Sequence, residues 1–384
     1  MANNTLTGLI PVLYEGLQIV ARELVGFIPA VTKNSEAEGA AVGEVITYPI
    51  APPATTGDIV AGQFPTDDGA QTIGTGTMTI SKSKYSPIRW AGEEQLGVKH
   101  TGQYNTILRD QFAQSLRALV NLVEVDLATA IRAGASRAFG TIGTAPFATA
   151  ANFLDFANML KILDDNGAPM SDRQLVLGSS AVLNLRGIQS NLFKANEAGT
   201  DELLRRGIVA QVEGFDIHQS NAIASAASGT GTNYTSTTAG FAIGTTSIPL
   251  ITGSGTVLAG DTVTFTGDTN IYIVATGITA PGTIVLAGPG LRKALAASAV
   301  AMTVGAASSA NAAFHRSAVQ LVTRAPAMPD GGDLATDVIT ITDPISNISF
   351  QVATYEEYRR RRYEVGLSWG VKVNQPEFVA TLLG

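Results

Sequence analysis

The stretch QYNTILRDQFAQSLRALVNLVEVDLATAIRAGAS, residues 103–136, decides the fold. Its apolar residues recur at steps of three and four, which places them on one face of an α-helix. They are Leu108, Phe112, Leu116, Leu119, Val123, Leu127 and Ile131. A helix over residues 103–135 is about 45–50 Å long. This length predicts a rod that spans a domain rather than an element of an enzyme core.

The composition indicates a packed protein with an unusually neutral surface. The chain has 384 residues, of which 45% are hydrophobic, so we expect two or more subdomains. Charged residues make up only 15%, against roughly 25% in typical soluble domains. The net charge of −7 disfavours a wide nucleic-acid-binding face, because such faces carry a basic balance. A surface this poor in charge favours an assembled protein covered by other subunits.

The sequence predicts a chain without a targeting segment. It has no cysteine, which excludes disulfides and thiolate metal sites. The start, MANNTLTGLIPVLYEG, lacks the basic and long apolar regions of a signal peptide. No apolar run approaches the roughly 20 residues of a membrane-spanning helix. We therefore expect a protein that is made and used in a cytoplasm, without a membrane partner.

The first hundred residues divide into an arm and an extended loop. Residues 9–27 have the spacing of an amphipathic helix, and residues 1–43 are predicted to form an N-terminal helical arm. This arm either packs on its own domain or reaches a neighbour. Residues 44–97 are rich in Thr, Gly and Pro and predict a long β-hairpin loop. The loop has too little apolar bulk to stand alone, so a partner surface should stabilise it.

The remaining residues predict an α+β fold with an insertion. Residues 98–139 contain the long helix, and residues 140–222 form the first part of a central domain, with a helix at 152–163 and a buried strand at 174–177. Residues 223–311 are turn-rich, with a hairpin signal around GDTN at 267–270, and predict a small inserted β-barrel. Residues 312–384 resemble in composition the residues that precede the insertion. Residues 338–342 and 348–353 predict a further hairpin.

No residue pattern in the sequence strongly indicates a catalytic or ligand-binding site. His100, His218 and His315 are isolated in sequence and form no metal-ligand motif. No G-x-S-x-G motif occurs, and GPGLRK at 288–293 lacks the spacing of a phosphate-binding loop. The sequence therefore predicts no catalytic, cofactor-binding or metal-binding residues, and no enzyme.

Four consecutive arginines, Arg359 to Arg362, pose a choice between a nucleic-acid clamp and part of a strand. From residue 361 onward, apolar and polar residues alternate, which predicts a long half-buried strand. The pleat would place Arg360 and Arg362 on one side and Arg359 and Arg361 on the other. Glutamates at 356, 357 and 364 flank the run, so ion pairs within or between chains are favoured over DNA contact.

The order of the segments resembles the major capsid (coat) proteins of tailed bacteriophages, which have the Hong Kong ninety-seven type of fold. The opening TLTGLIPVLYEGLQIVARELVGFIPAV, then GAPMSDRQLVLGS, AFHRSAVQLVTRAPAMP and the ending YEVGLSWGVKVNQPEFVATLLG are similar to the branch from short-tailed phages. AGDTVTFTGDTNIYIVATG resembles the β-barrel domain inserted in that branch. The resemblance spans nearly the whole chain.

This resemblance implies a structural protein of the virion, with no cofactor. Many copies would assemble as hexamers and pentamers into an icosahedral shell around double-stranded DNA, in the cytoplasm of a host bacterium. Assembly would begin as a procapsid with a scaffolding protein and a portal protein and end with expansion as DNA enters. DNA would be held through weak, non-specific contacts. Residues 98–139 would be the spine helix, and residues 44–97 would extend over a neighbour.

The candidate subunit contacts are Lys82, Lys84, Glu356, Glu357, Arg359, Arg360, Arg361 and Arg362. Some family members join the extended loop covalently to a neighbour through a lysine, and Lys82 and Lys84 lie on the matching segment. The branch with the strongest resemblance is not expected to form this crosslink. Two other functions stay open: an encapsulin-like compartment around a protein cargo, and a Thr/Gly-rich surface adhesion module based on residues 223–311.

Overall fold

The computed structural model describes residues 10–20, 26–50, 58–59, 61–62, 73–100, 104–150, 152–188, 211–329, 331–343 and 347–384. The helices within these ranges are α1 (Ile10–Val20), α2 (Phe27–Ala30), α3 (Gly92–His100), α4 (Tyr104–Gly134), α5 (Leu154–Asp165) and α6 (Ser179–Gly187). The strands are β1 (Thr32–Ala40), β2 (Val45–Ile50), β3 (Gly74–Thr79), β4 (Lys82–Ala91), β5 (Arg137–Phe139), β6 (Arg173–Leu177), β7 (Gln211–Val212), β8 (Phe215–Gln219), β9 (Ser225–Ala226), β10 (Tyr234–Thr235), β11 (Ser247–Pro249), β12 (Thr262–Phe265), β13 (Ile271–Thr276), β14 (Thr283–Leu286), β15 (Ala301–Val304), β16 (Ser308–His315), β17 (Val319–Pro326), β18 (Ala335–Thr342), β19 (Ser349–Glu357), β20 (Arg360–Val373) and β21 (Val379–Leu383).

Helix α4 is the predicted long helix, and it has 31 residues. All seven residues of the predicted apolar stripe are buried in it. They join one hydrophobic core with α1, α2 and the strand β20. The prediction of a long helix with one buried face is confirmed, and α4 is called the spine helix below.

A six-stranded sheet lies on the spine helix. Its strands have the order β1-β17-β20-β19-β18, and β4 pairs with β20 as well. Strand β4 was predicted to be part of the extended hairpin, but only β2 and β3 form that hairpin. The reason is the burial of Ile88 and Trp90 in the core on the spine helix, which favours pairing of β4 with β20.

Strand β20 is covered on both faces in its centre. The predicted apolar face is buried from Tyr363 to Trp369, but Ser368 and Gly370 on the other face are buried too. A Cβ at Gly370 would lie 2.3 Å from the carbonyl oxygen of Thr79. The prediction of a half-buried strand is therefore wrong for this region, because the base of the β2–β3 hairpin covers the second face.

The described part of the N-terminal arm packs on its own chain. Helix α1 buries Leu13 and Leu17 in the core that the spine helix shares. The single helix predicted for residues 9–27 is wrong at its end, since Phe27 begins the separate helix α2. Residues 32–40 are not helical; they form β1, which lies parallel to β17. Residues 1–9 and 21–25 lie outside the described residues.

The central domain is built on a second sheet, in which strands β5-β21-β16-β6-β8-β7 are neighbours. Helices α5 and α6 cover a core that includes Phe156, Leu163, Leu175 and Leu185. The predicted helix at 152–163 and the buried strand at 174–177 correspond to α5 and β6. The predicted hairpin near the C-terminus is formed by β18 and β19.

Residues 227–307 form a β-rich unit with a separate core. Its strands follow the order β10-β15-β12-β13 and continue through β14 to β11. Two backbone hydrogen bonds link the ends of this series, from Thr237 N to Pro249 O and from Ile251 N to Thr235 O. The core contains Tyr234, Phe265, Tyr272 and eleven other buried residues. The predicted boundary at residue 311 falls inside β16, which pairs with strands of the central domain.

Two helix-terminal glycines provide a test of the packing between the spine helix and β20. A Cβ at Gly134 would lie 2.7 Å from Cβ and Cγ2 of Val373, whereas a Cβ at Gly187 has no neighbour within 4 Å. We expect G134A to lower the free energy of unfolding by about 1–3 kcal/mol through overpacking. The matched control G187A should leave it unchanged or raise it by up to about 1 kcal/mol. Urea unfolding measures both, and equal effects would contradict the packing described.

Candidate functional site

The arginine run lies at a tight turn between β19 and β20. Glu357 pairs with Arg360 across the two strands, so Tyr358 and Arg359 form the turn. Arg359 has a left-handed backbone, with φ of 55°. Arg359 was predicted to alternate with the other arginines along one strand. This prediction is wrong, because β20 begins only at Arg360. Residues 356–362 are called the arginine turn below.

Two of the four arginines form ion pairs within the sheet. The Arg361 Nη2 atom lies 2.6 Å from Glu356 Oε1. The Arg362 Nη2 atom lies 3.3 Å from Glu364 Oε2, and its guanidinium stacks over the Tyr355 ring at 4.8 Å. The contacts of Arg361 with Glu356 and of Arg362 with Tyr355 join the paired strands β19 and β20 and stabilise the sheet, whereas the Arg362–Glu364 pair lies within β20. The ion pairs predicted between the arginines and the glutamates therefore form within one chain for Arg361 and Arg362.

The other two arginines face outward at the end of the sheet. Arg359 and Arg360 are exposed, as is Tyr358 at 91%. Neither arginine forms an ion pair with any residue in the described part of the chain. The backbone of Arg359 is held in place, since its carbonyl oxygen accepts a hydrogen bond from Gly92 N at 3.2 Å. A fixed turn therefore presents two arginines that form no ion pair with the described residues.

A groove of about 1050 Å³ separates the arginine turn from helix α3. Its lining includes Leu96 and Lys99 on α3 and Tyr358, Arg359 and Arg360 on the turn. Helix α3 has nine residues and none of them is buried. Isolated helices of this length are marginal in water. The apolar residues of α3 form no amphipathic pattern, and residues 92–97 were predicted to belong to the extended loop.

Lys82 and Lys84 lie far from the arginine turn. They are at the other end of β4, where Lys82 is opposite Trp369 and Lys84 is opposite Leu367, while Ala91 is opposite Arg360. Nine strand steps separate these ends, or about 30 Å. The placement of both lysines on a projecting hairpin is wrong, because β4 is part of the six-stranded sheet.

Lys82 belongs to a polar contact that sequence reasoning missed. Its Nζ lies 2.6 Å from Asp126 Oδ1 on the spine helix. The buried indole of Trp369 donates a hydrogen bond from Nε1 to Asp126 Oδ2 at 2.8 Å. Asp126 therefore joins the spine helix to β4 and β20. No pattern in the sequence links Asp126 to Lys82 or Trp369, because the pairing of β4 with β20 brings these residues together.

The three histidines occupy separate places. His100 ends α3, His218 Nε2 lies 2.9 Å from Gln174 Oε1, and His315 Nδ1 lies 2.7 Å from Ser317 Oγ. Among the described residues, no group of three His, Asp or Glu side chains is placed to hold a metal ion. No helix in the described ranges is both long and apolar enough to cross a membrane.

The structure is similar to several solved structures. One is of Mycobacterium phage Che8, with 16% identity, a TM-score of 0.47 and coverage of 88% of this chain and 84% of that chain. The capsid of the cyanophage P-SCSP1u has 14% identity, a TM-score of 0.49 and coverage of 94% and 88%. A virus-like particle from Pyrococcus furiosus has 10% identity, a TM-score of 0.44 and coverage of 99% and 100%. No protein-family model and no curated protein matches the sequence.

The contact at Asp126 allows a buried hydrogen bond to be separated from an exposed ion pair. We expect D126A to lower the free energy of unfolding by about 1–3 kcal/mol, because the buried Trp369 N–H loses its acceptor. K82M should cost at most about 1 kcal/mol, because Lys82 is exposed. Denaturant unfolding followed by tryptophan fluorescence measures both. A cost for K82M equal to that of D126A would show that the ion pair dominates.

Proposed function

We propose that this chain is the major capsid protein of a tailed bacteriophage. Many copies assemble into an icosahedral shell that encloses double-stranded DNA in the virion. The proposal rests on the order of the segments along the chain. An N-terminal segment is followed by the hairpin, the spine helix, the central α+β domain, the insertion and the returning strands. This is the order that the motifs of the sequence imply. The role is structural, and the chain is not an enzyme.

Two described elements are only partly covered by their own chain, as expected for a subunit that interlocks with neighbours. The β2–β3 hairpin is a two-stranded sheet that leaves Val45 50% exposed and Ile73, just before β3, 67% exposed. A hairpin alone is only marginally stable in water. Helix α3 has no buried residue. Both elements gain stability if neighbouring subunits cover them, and stable interfaces bury on the order of 1,200–2,000 Å².

The arginine turn is the proposed electrostatic contact between subunits. Arg359 and Arg360 are exposed beside a groove and form no ion pair with described residues. A segment of another copy that places single carboxylates on Arg359 and Arg360 fits this groove better than DNA does, because the groove also contains Glu93, Glu356 and Glu357. A continuous phosphate backbone would lie against these three carboxylates as well and be repelled by them, whereas a protein segment can present neutral side chains there. Lys82 and Lys84 remain candidate subunit contacts at the opposite end of β4.

The β-rich unit of residues 227–307 is proposed to be the inserted barrel of the short-tailed branch. Its first role is to stabilise the chain that carries it. Strand β13 pairs with β5 of the central domain. Arg137 Nη1 donates to Asn270 Oδ1 at 3.1 Å, and Arg292 Nη2 donates to Asp165 O at 2.9 Å. These contacts attach the unit firmly to the central sheet.

Assembly is proposed to follow the route that the resemblance implies. Hexamers and pentamers form on a scaffolding protein in the cytoplasm of the host bacterium, with a portal protein at one vertex. DNA then enters and makes weak, non-specific contacts with the wall. The net charge of −7 favours weak contacts, because the affinity of a protein for DNA increases with each phosphate that its basic residues neutralise. An encapsulin-like compartment differs in enclosing protein cargo instead of DNA.

Electron microscopy of the expressed full-length chain tests the proposed function. We expect closed shells of uniform size, either from the chain alone or on co-expression with a scaffolding protein. Chains that stay monomeric under both conditions would overturn the proposal. Shells that contain a specific protein and no DNA in the native host would favour the compartment.

Charge variants of the turn test the proposed contact. We expect R359E/R360E to leave the unfolding midpoint of the monomer unchanged, because neither side chain forms an ion pair with a described residue. The same variant should reduce the yield of closed shells at least tenfold, whereas R359K/R360K keeps the charge and most of the yield. Sedimentation separates shells from free chains. Equal yields for the two variants would exclude an ionic contact there.

A further inference from the structure

In the described part of the chain, three strands of the six-stranded sheet have a free edge: β1, β4 and β18. A free edge presents backbone N–H and C=O groups that can pair with a strand of another chain. Strand β18 pairs with β19 on one side, and no described strand lies on its other side. The three edges differ in how well their sequences block such pairing.

Strands β1 and β4 have features that discourage pairing with a further strand. Strand β1, TKNSEAEGA, contains three charged residues, and its register shifts between Ser35 and Gly39. Strand β4, KSKYSPIRWA, contains three basic residues and Pro87. Charged residues, bulges and prolines are the means by which natural sheets block their edges. Neither of these two edges is suited to accept another strand.

Strand β18 has none of these features over residues 338–342. Its sequence there is VITIT, in which every residue is neutral and β-branched, and the register with β19 has no shift in this stretch. Such residues are enriched in strands because they pack well on a pleated surface. Asp337 is the one charged residue of the strand. This edge is therefore open to pairing.

The free edge of β18 presents the backbone groups of residues 338, 340 and 342. Asp343 N donates a hydrogen bond to Ile348 O, next to β19, at 3.0 Å. The N–H groups of an antiparallel strand point alternately to its two sides. Those of residues 339 and 341 therefore point to β19, and those of residues 338, 340 and 342 point away from it.

We propose that β18 pairs antiparallel with β18 of a second copy of this chain, about a twofold axis at Thr340. In this register Ile339 lies opposite Ile341 of the other copy, and Val338 lies opposite Thr342. The three outward N–H groups of each strand then all have partners. The inference rests on the proposed assembly, which brings copies together, and it names one strand through which they join.

The sequence of β18 favours this register. With Thr340 on the axis, the neutral segment 338–342 meets only itself. Ile341 is buried in the core on the spine helix and Ile339 packs against that core, so their cross-strand pairs join two apolar faces. An axis at Ile339 would instead place Asp337 opposite Ile341. Beyond the five pairs Asp337 would lie opposite Asp343 of the other copy, and like charges end the ladder there.

Disulfide crosslinking tests the pairing, because the chain has no cysteine of its own. The Cα atoms of the two copies of residue 340 would be about 5.5 Å apart, a distance that a disulfide spans. Those of residue 342 would be about 14 Å apart, because each lies two residues from the axis. Both threonines are exposed, so T342C is a matched control. After mild oxidation of shells, T340C should give at least about tenfold more linked dimer than T342C.

Unassembled chains at high concentration are oxidised in parallel. Five paired residues form a contact much smaller than a stable interface, so we expect the dimer mainly in shells. Shells without a T340C dimer, or with equal dimer from T340C and T342C, would overturn the pairing and leave the proposed function intact. If no shells form, the proposed function fails, and the T340C dimer in unassembled chains alone decides the pairing.

Hydrogen exchange identifies a different occupant of the edge. Peptides that cover residues 338–342 should exchange more slowly in shells than in unassembled chains, because the outward N–H groups gain acceptors. Slower exchange in shells that give no T340C dimer would show that another segment or another protein pairs with β18. That result would overturn the pairing of two copies of β18.

Discussion

The packing of the spine helix along strand β20 is the contact on which the rest of the structure depends. Phe112 meets Tyr363 edge-on at 5.6 Å, Asp126 accepts the Trp369 indole hydrogen, and Gly134 lies against Val373. From residue 112 to 134 the helix advances about 33 Å, and from residue 363 to 373 the strand also advances about 33 Å. The two elements therefore run in the same direction in matching register, which explains why contacts recur along their whole length.

Both elements then continue into the central domain side by side. The spine helix leads directly into β5, and β20 leads through a short 3-10 turn (Pro376–Phe378) into β21. Strands β5 and β21 are parallel neighbours, with Ala380 opposite Arg137. The helix–strand pair thus connects the six-stranded sheet to the central sheet through two adjacent chain segments. Two parallel connections resist rotation better than one, so the sheets are expected to move as one body.

The sequence predicted the elements whose signal is local. The spine helix, α5 and the hairpins β12–β13 and β18–β19 follow from apolar periodicity and turn residues. Strand β1, TKNSEAEGA, has no such signal, and it is extended because it pairs with β17, almost 290 residues away. The position of β4 and the partners of the arginines also depend on pairing between distant strands. Glu124 of the spine helix could have been noticed as a carboxylate between apolar positions, but the groups that donate hydrogen bonds to it come from residues 27, 28 and 220.

The arginine run illustrates how a sheet divides a uniform charge cluster. Arg361 and Arg362 lie within β20, where the neighbouring strand β19 supplies Glu356 and the Tyr355 ring. Arg359 lies in the turn, and Arg360 is the first residue of β20, where it is opposite Glu357 but forms no ion pair with any described residue. Exposed charges of this kind contribute little to folding. They can therefore serve recognition of another chain without a cost in stability, and their position at the tip of a sheet fixed to the spine helix holds them in one orientation.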